Sequence, residues 1–338
     1  MDPLTHGLVG TAAALSVRKE ENQGPVAITG FISAVIADLD YFIYSSSDPL
    51  LNIEIHRQFT HSLIFIPVGA LVASAILWWF MKKHLTFRQL YLYSMVSYAT
   101  AGLLDACTSY GTMLLWPFSD TRFAWNIISV VDPVFTTGII LFIGLSFYFK
   151  NRRFSHAAFI WLAVYLFFGL AQRERATHFA ERLANARGHL PERMVVKPSI
   201  GNLILWRSTY EYEDRFYADG VRVGLTSWNA FYYQGESQSR FYPEKQLSEY
   251  TGTVLYNDIF RFSALSEGYL IRHPENPEII GDARYSMLPN SLKPLWGVKL
   301  NKNNPDQHLD FQYFRDTSRE VRDTYKKMIL GHPVDAND

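Results

Sequence analysis

Six apolar runs crowd the first 171 residues, and no other feature of the chain restricts its fold as much. The opening "MDPLTHGLVGTAAALS" is followed by runs at 25–44, 62–81, 88–107, 132–149 and 154–171. Each of the later five approaches the roughly 17–25 residues with which a helix crosses a bilayer core. Five such runs in succession are too many for the buried helices of a water-soluble domain. The pattern predicts a mainly α, polytopic membrane region of about six spans. The first run is shorter and has no Lys or Arg ahead of its apolar part. Asp2, Thr5 and His6 stand where a leader would be basic, so it is read as a short first membrane helix and not as a cleaved signal.

Averages over the whole chain hide a division into two parts. The 338 residues are 48% hydrophobic and 19% charged, with a mean hydropathy of -0.04. Residues 1–171 hold the apolar runs, while residues 172–338 hold most of the Arg, Glu, Asp and Tyr. Two domains are therefore expected: a helical transmembrane domain over 1–171 and an extramembrane α+β domain over 172–338. In the second, "AQRERATHFAERLANARGHL" reads as a solvated helix ended by Gly188 and Pro191. The alternating stretch from 195 to 225, with further strands near 227–233 and 279–300, reads as antiparallel sheet. "FRDTSREVRDTYKKMIL" reads as a closing amphipathic helix. Lys+Arg and Asp+Glu are equal at 32 each, which gives no footprint for a nucleic-acid partner. Cys107 stands alone, so neither an intramolecular disulfide framework nor a CxxC zinc site is available.

Charge in the loops orients the spans. Arg18-Lys19, Lys82-Lys83 with Arg88, and Lys150 with Arg152-Arg153 follow the first, third and fifth runs. Basic loops face the cytoplasm. The segments 45–61 and 108–131, and the chain after 171, are then expected on the outer side of the membrane. That orientation gathers polar residues at one level. His6 sits at the tip of the first span, Asp38 and Asp40 late in the second, His56 and His61 ahead of the third, and Asp105 at the end of the fourth. Ionisable groups at membrane depth cost a few kcal/mol each and are usually paired, hydrated or functional. Imidazole and carboxylate together suit Zn²⁺, with Mn²⁺ or Fe²⁺ as alternatives. On an α-helix Asp38 and Asp40 point about 200° apart, so both can face one ion only if the helix locally unwinds. One is then a ligand and the other orients a histidine, or two ions are held. The remaining histidines, His84, His156, His178, His189, His273, His308 and His332, show no metal-like spacing and are expected at the surface or the interface.

The motifs carrying these residues resemble a known family. "MDPLTHGLVG", "ADLDYF" at 37–42, "HRQFTHSL" at 56–63, "GLLDACTSYGTMLLWPFS" at 102–119 and the "DP" at 132–133 are similar to the YdjM/YbcI-like family of bacterial membrane-bound proteins, predicted to be metal-dependent hydrolases. "GDARY" at 281–285 and "LWGVKL" at 295–300 look like the C-terminal extension of longer members. The resemblance implies an inner-membrane hydrolase with His6, Asp38, Asp40, His56, His61 and Asp105 as its metal-site residues. Where the family often has proline in "PDxD", this chain has Ala37, which relaxes a kink without removing a carboxylate. The family name is itself a prediction and fixes no substrate.

From these residues a mechanism is expected. A divalent metal activates water, Asp40 or Asp38 accepts the water's proton, and Arg57 neutralises a phosphate or carboxylate on the substrate. Thr60, Thr108, Ser109 and Tyr110 supply hydrogen bonds. Trp116-Pro117-Phe118 anchors its loop at the interface. A site at the outer edge of the bilayer favours membrane lipid or another amphiphilic, lipid-linked ester or phosphoester as substrate. The alternatives are an ion- or proton-coupled carrier and a non-catalytic membrane scaffold.

Overall fold

The computed structural model describes residues 1–18, 22–225 and 230–334. Lys19 and positions 227–229 of one expected strand lie outside the described residues. The chain divides into two compact units, one of Met1–Ile43, Ile55–Ala171 and Ile200–Asn202, the other of Tyr44–Glu54, Gln172–Ser199 and the chain from Leu203 onward.

The first unit is helical. Helix α1 (Pro3–Val17) starts where the Asp2 carboxylate accepts the Thr5 amide, with Pro3 in the first turn. It packs on α2 (Gln23–Ile36) at a distance set by two small residues. A Cβ built on Gly10 would lie 2.5 Å from the Gly30 carbonyl oxygen, and one on Gly30 would lie 2.5 Å from that of Gly10. Backbones that meet this closely are the usual solution where helices pair in lipid. Beyond Ile36 the chain tightens into a 3-10 helix over Ala37–Phe42. After α3 (Pro49–Ile55) come α4 (Ile66–Met81) and α5 (Phe87–Ala106), the latter opened by a reciprocal cap between Thr86 and Gln89. Helix α6 (Pro133–Tyr148) is capped by Asp132, and α7 (Arg153–Ala186) runs for 34 residues. The boundary expected at 171/172 therefore falls inside a continuous helix.

Among the described residues, three helical stretches are long and apolar enough to cross a membrane: Gln23–Phe42, Leu63–Met81 and Arg153–Ala186. Pro133–Tyr148 is apolar but shorter, and α1 has 15 residues. Helix α5 has 20 residues, but it buries Ser94, Ser97, Tyr98 and Asp105, which lowers its hydropathy. The outward faces match a hydrocarbon surround. Val68, Leu71, Val72, Ile76, Trp79 and Phe80 on α4, and Ile160, Val164 and Phe167 on α7, are all exposed.

The second unit carries two antiparallel sheets. Strands β1 (Arg193–Pro198), β2 (Leu205–Tyr212), β3 (Arg215–Val223) and β4 (Ala230–Tyr233) run in that order, and β5 (Ser237–Ser239) pairs with β3. After α8 (Pro243–Gln246) and α9 (Val254–Leu265), β6 (Leu270–His273), β7 (Asn276–Asp282), β8 (Trp296–Lys299) and β9 (Asp310–Tyr313) form the second sheet, and α10 (Arg319–Leu330) closes the described chain. The segment Tyr44–Glu54 groups with this unit because Leu50 is fully buried in its core with Phe241, Ile259 and Phe262. Lys197 on β1 is 5% exposed, with its Nζ 3.7 Å from the centre of the Tyr285 ring. Burial, then the neighbouring Arg284, pulls its pKa well below the usual 10.5.

Two predictions follow from this packing. A Cβ on Gly102 would sit 2.2 Å from the His61 carbonyl oxygen, so Gly102→Ala is expected to lower stability by about 1–3 kcal/mol, read as a fall in the thermal midpoint of the detergent-solubilised protein. For Lys197, the unfolded chain binds more protons than the folded one between the lowered folded value and 10.5, so stability rises with pH across that window. Lys197→Met is expected to flatten this rise in denaturant unfolding curves; an unchanged slope contradicts the assignment.

Candidate functional site

The 3-10 helix Ala37–Phe42 places the two aspartates of "DLD" on one histidine. A 3-10 helix turns about 120° per residue, so alternate residues lie about 120° apart measured the short way round, against about 160° (the same angle as 200°) in an α-helix. Asp38 Oδ1 is 3.3 Å from His61 Nε2, and Asp40 Oδ2 is 3.5 Å from His61 Nδ1. The unwinding needed for both carboxylates to approach one group is thus built into the chain.

Asp40 is the more enclosed of the two, at 1% exposure. Its Oδ1 is 2.8 Å from His56 Nδ1, and its Oδ2 accepts the Arg57 amide at 2.9 Å and the Thr60 hydroxyl. The donating Arg57 backbone has φ +61°, a left-handed conformation costly for a branched-free but bulky side chain and held here by the surrounding bonds. Thr60 has one hydroxyl proton, and it goes to Asp40. Its oxygen, 2.9 Å from His61 Nδ1, therefore receives the proton of that nitrogen. Tyr98 holds the same turn by donating to the Thr60 carbonyl at 2.8 Å.

The other side of His61 faces acid. Nε2 lies 3.1 Å from Asp105 Oδ2 as well as 3.3 Å from Asp38 Oδ1, with no hydrogen bond of regular geometry to either. A ring nitrogen so placed requires positive charge, either a second ring proton or a cation. Asp105, fully buried at the end of α5, has His6 Nε2 at 3.0 Å from Oδ1, and the Met1 amine also lies against Oδ1. One donor atom each from His6, Asp38 and Asp105 lies within 4.8 Å of the others. His6 Nδ1 and Asp38 Oδ2 are buried without a hydrogen-bond partner. His56, half-buried, stands on the far side of Asp40, its ring 6.3 Å from that of His61.

Arg57 is 4% exposed. Its Nε is 3.0 Å from Asp105 Oδ2, one terminal nitrogen donates to the Thr108 hydroxyl at 3.1 Å, and its guanidinium lies 5.2 Å from the centre of the Tyr110 ring. The guanidinium expected to meet substrate is thus engaged by protein. Ser109 is half-buried in the turn after α5, beside Thr108 and Tyr110. Phe118 of the "WPF" segment is exposed.

The fold also assembles a group that no local spacing announces. His308, exposed as expected, has Nδ1 2.9 Å from Asp258 Oδ2 and 3.8 Å from Asp48 Oδ1. These residues are far apart in sequence, so only the tertiary fold brings them together. Arg261 already bridges Asp48, Glu54 and Asp258 at 2.6–2.9 Å, which raises its own pKa through Glu54 first. The three carboxylates are therefore already countered by a guanidinium.

Comparison with known proteins covers the membrane unit. A family model described as YdjM inner membrane protein matches residues 1–176. Inner membrane protein YbcI of Escherichia coli (strain K12) is 31% identical over 132 residues, which is 38% of this chain and 75% of that protein. No solved structure matches the chain. His6, Asp38, Asp40, His56, His61 and Asp105 all fall inside the family match.

Thr60 offers a direct test of the network. Thr60→Val removes the hydroxyl that links Asp40 to His61 and is expected to cost about 1–3 kcal/mol, while Thr60→Ser restores most of it; the check is denaturant unfolding of the three proteins side by side.

Proposed function

The chain belongs to the YdjM inner membrane protein family, and on that premise we propose that its buried cluster is a divalent-metal hydrolytic centre. The observation that carries the reading is the His61 imidazole, which turns Nε2 toward the Asp38 and Asp105 carboxylates while Nδ1 is bonded on the Asp40 side. The donor set fits a metal such as zinc. It is nitrogen and oxygen only, it comes from separate elements, and it includes buried polar atoms without hydrogen-bond partners.

His6, His61, Asp38 and Asp105 would hold the ion. When bound, it would supply Lewis acidity, easing deprotonation of an attacking water and polarising the scissile bond. Asp40 has its oxygens taken by His56, Arg57, Thr60 and His61, so it acts as the residue that fixes the His61 tautomer and ring plane. This assigns the general-base role to Asp38, which keeps an oxygen without a hydrogen-bond partner. Arg57 balances the charge of Asp105, and the Thr108–Tyr110 turn provides hydroxyls beside it. A cluster set among membrane helices, near the end of α5, favours an amphiphilic ester or phosphoester of lipid type. The loop charges support six spans with the second unit on the periplasmic side of the inner membrane.

Purified full-length protein is expected to contain zinc, manganese or iron in a fixed ratio, and to lose it in His61→Ala and Asp105→Asn. Hydrolysis of lipid esters or phosphoesters should fall at least about 100-fold in both variants, as expected when a group that would hold the activating ion is lost, and should respond to chelator and to added metal. A well-folded wild-type protein that retains no divalent metal overturns the proposal.

A further inference from the structure

A cleft of about 290 Å³ opens within the second unit, lined by three arginines: Arg215 on β3, Arg240 just after β5, and Arg272 on β6. The two sheets are joined at this place. The Phe241 amide donates to the Leu270 carbonyl at 2.8 Å, and the Gln238 side chain donates to the Arg272 carbonyl at 2.6 Å. The cleft therefore rests on ordered backbone from both sheets.

The charges in it are not balanced. Arg215 donates to the Ser239 hydroxyl at 3.1 Å and to the Ser237 hydroxyl and carbonyl at 3.2 Å, all neutral. Arg272 donates to the Pro277 carbonyl at 2.7 Å and to Gln246 Oε1 at 3.1 Å, also neutral. Arg240 alone of the three pairs with a carboxylate, Glu211 at 2.6 Å, and Glu211 is shared with Arg193 at 2.6 Å. Elsewhere in the unit, Arg187, Arg261 and Arg284 each meet carboxylates of their own. Burial lowers the pKa of Arg272 from its usual value.

The guanidinium planes are also held in place. Arg272 lies 4.8 Å from the centre of the Phe241 ring and Arg240 lies 4.5 Å from that of Tyr242. Stacking of this kind leaves the edges of the guanidinium fork available to oxygen acceptors, and the fork matches phosphate and carboxylate geometry. Ser237 and Ser239 add hydroxyl donors at the rim.

We propose that this cleft binds a phosphate-bearing molecule, through Arg215 and Arg272 with Arg240 as a third contact. The proposal concerns residues outside the family match and does not depend on a metal in the membrane unit. The same chemistry is offered by a free phosphate and by the phosphate of a lipid headgroup.

The test is calorimetric titration of the full-length protein in uncharged detergent at low ionic strength. Chelator is present throughout, so that no metal in the membrane unit answers for phosphate. The probes are inorganic phosphate and a short-chain phosphatidylglycerol. Saturable binding of either, weakened at least 10-fold in Arg215→Gln/Arg272→Gln with an unchanged thermal midpoint, supports the proposal; binding of free phosphate identifies a soluble anion, and binding of the lipid alone identifies a headgroup. If the double variant does not fold, Arg215→Gln by itself serves, since among the described residues its guanidinium bonds to the rim serines. Absence of saturable binding by both probes, or undiminished binding in the folded variant, overturns it.

Discussion

The membrane unit depends on one imidazole held between acids. His61 is bonded through Thr60 to Asp40 on one ring nitrogen and faces Asp38 and Asp105 with the other. These groups come from the 3-10 turn after α2, from the turn before α4, and from the end of α5. Buried carboxylates are tolerated only when hydrogen-bonded and countered by positive charge. Arg57, His6, His56 and the Met1 amine supply protein partners, and the helices carrying these residues are held in register by the requirement to satisfy them.

The packing around the cluster follows from the same constraint. Helix α5 gives its buried face to serines, Tyr98 and Asp105, and so falls short in hydropathy where α4 does not. Gly102 lets the His61 backbone approach α5, and the Gly10–Gly30 contact does the same for α1 and α2. Small residues at these crossings exchange side-chain volume for proximity. The second unit is organised differently, around two antiparallel sheets in which Arg187, Arg261 and Arg284 meet carboxylates, while buried Lys197 and Arg207 and the cleft's Arg215 and Arg272 are held by neutral groups.

Much of this was legible in the sequence because it is local or periodic. The apolar runs appear as helices, the stretch 195–225 as paired strands, and the last twelve residues of the closing amphipathic stretch as α10. The turn signal read at Ala218-Asp219-Gly220 instead lies inside β3, and the chain reverses at Glu213-Asp214, both at positive φ. The six polar residues of the membrane unit could be named because charges stand out against an apolar background. Their pairing was less legible. That Asp40 is surrounded by donors while Asp38 keeps a bare oxygen depends on the 3-10 turn and on the left-handed Arg57, and no residue spacing announces either. His308 is exposed, as expected, but its pairing with Asp258 and Asp48 was not legible because those partners are distant in sequence. The same holds for the segment Tyr44–Glu54, which looks like a plain loop until Leu50 is seen in a core built from residues some two hundred positions later.

The central claim is that the proposed cation lies where His61 Nε2 meets Asp38 and Asp105. X-ray absorption at the metal edge of the purified full-length protein addresses it most directly. The account predicts nitrogen and oxygen scatterers at roughly 2.0–2.2 Å, as for zinc bound by imidazole and carboxylate, with an outer-shell imidazole pattern that changes in His61→Ala. An edge with no metal above background, in protein whose His61 carries protons on both ring nitrogens, would contradict it.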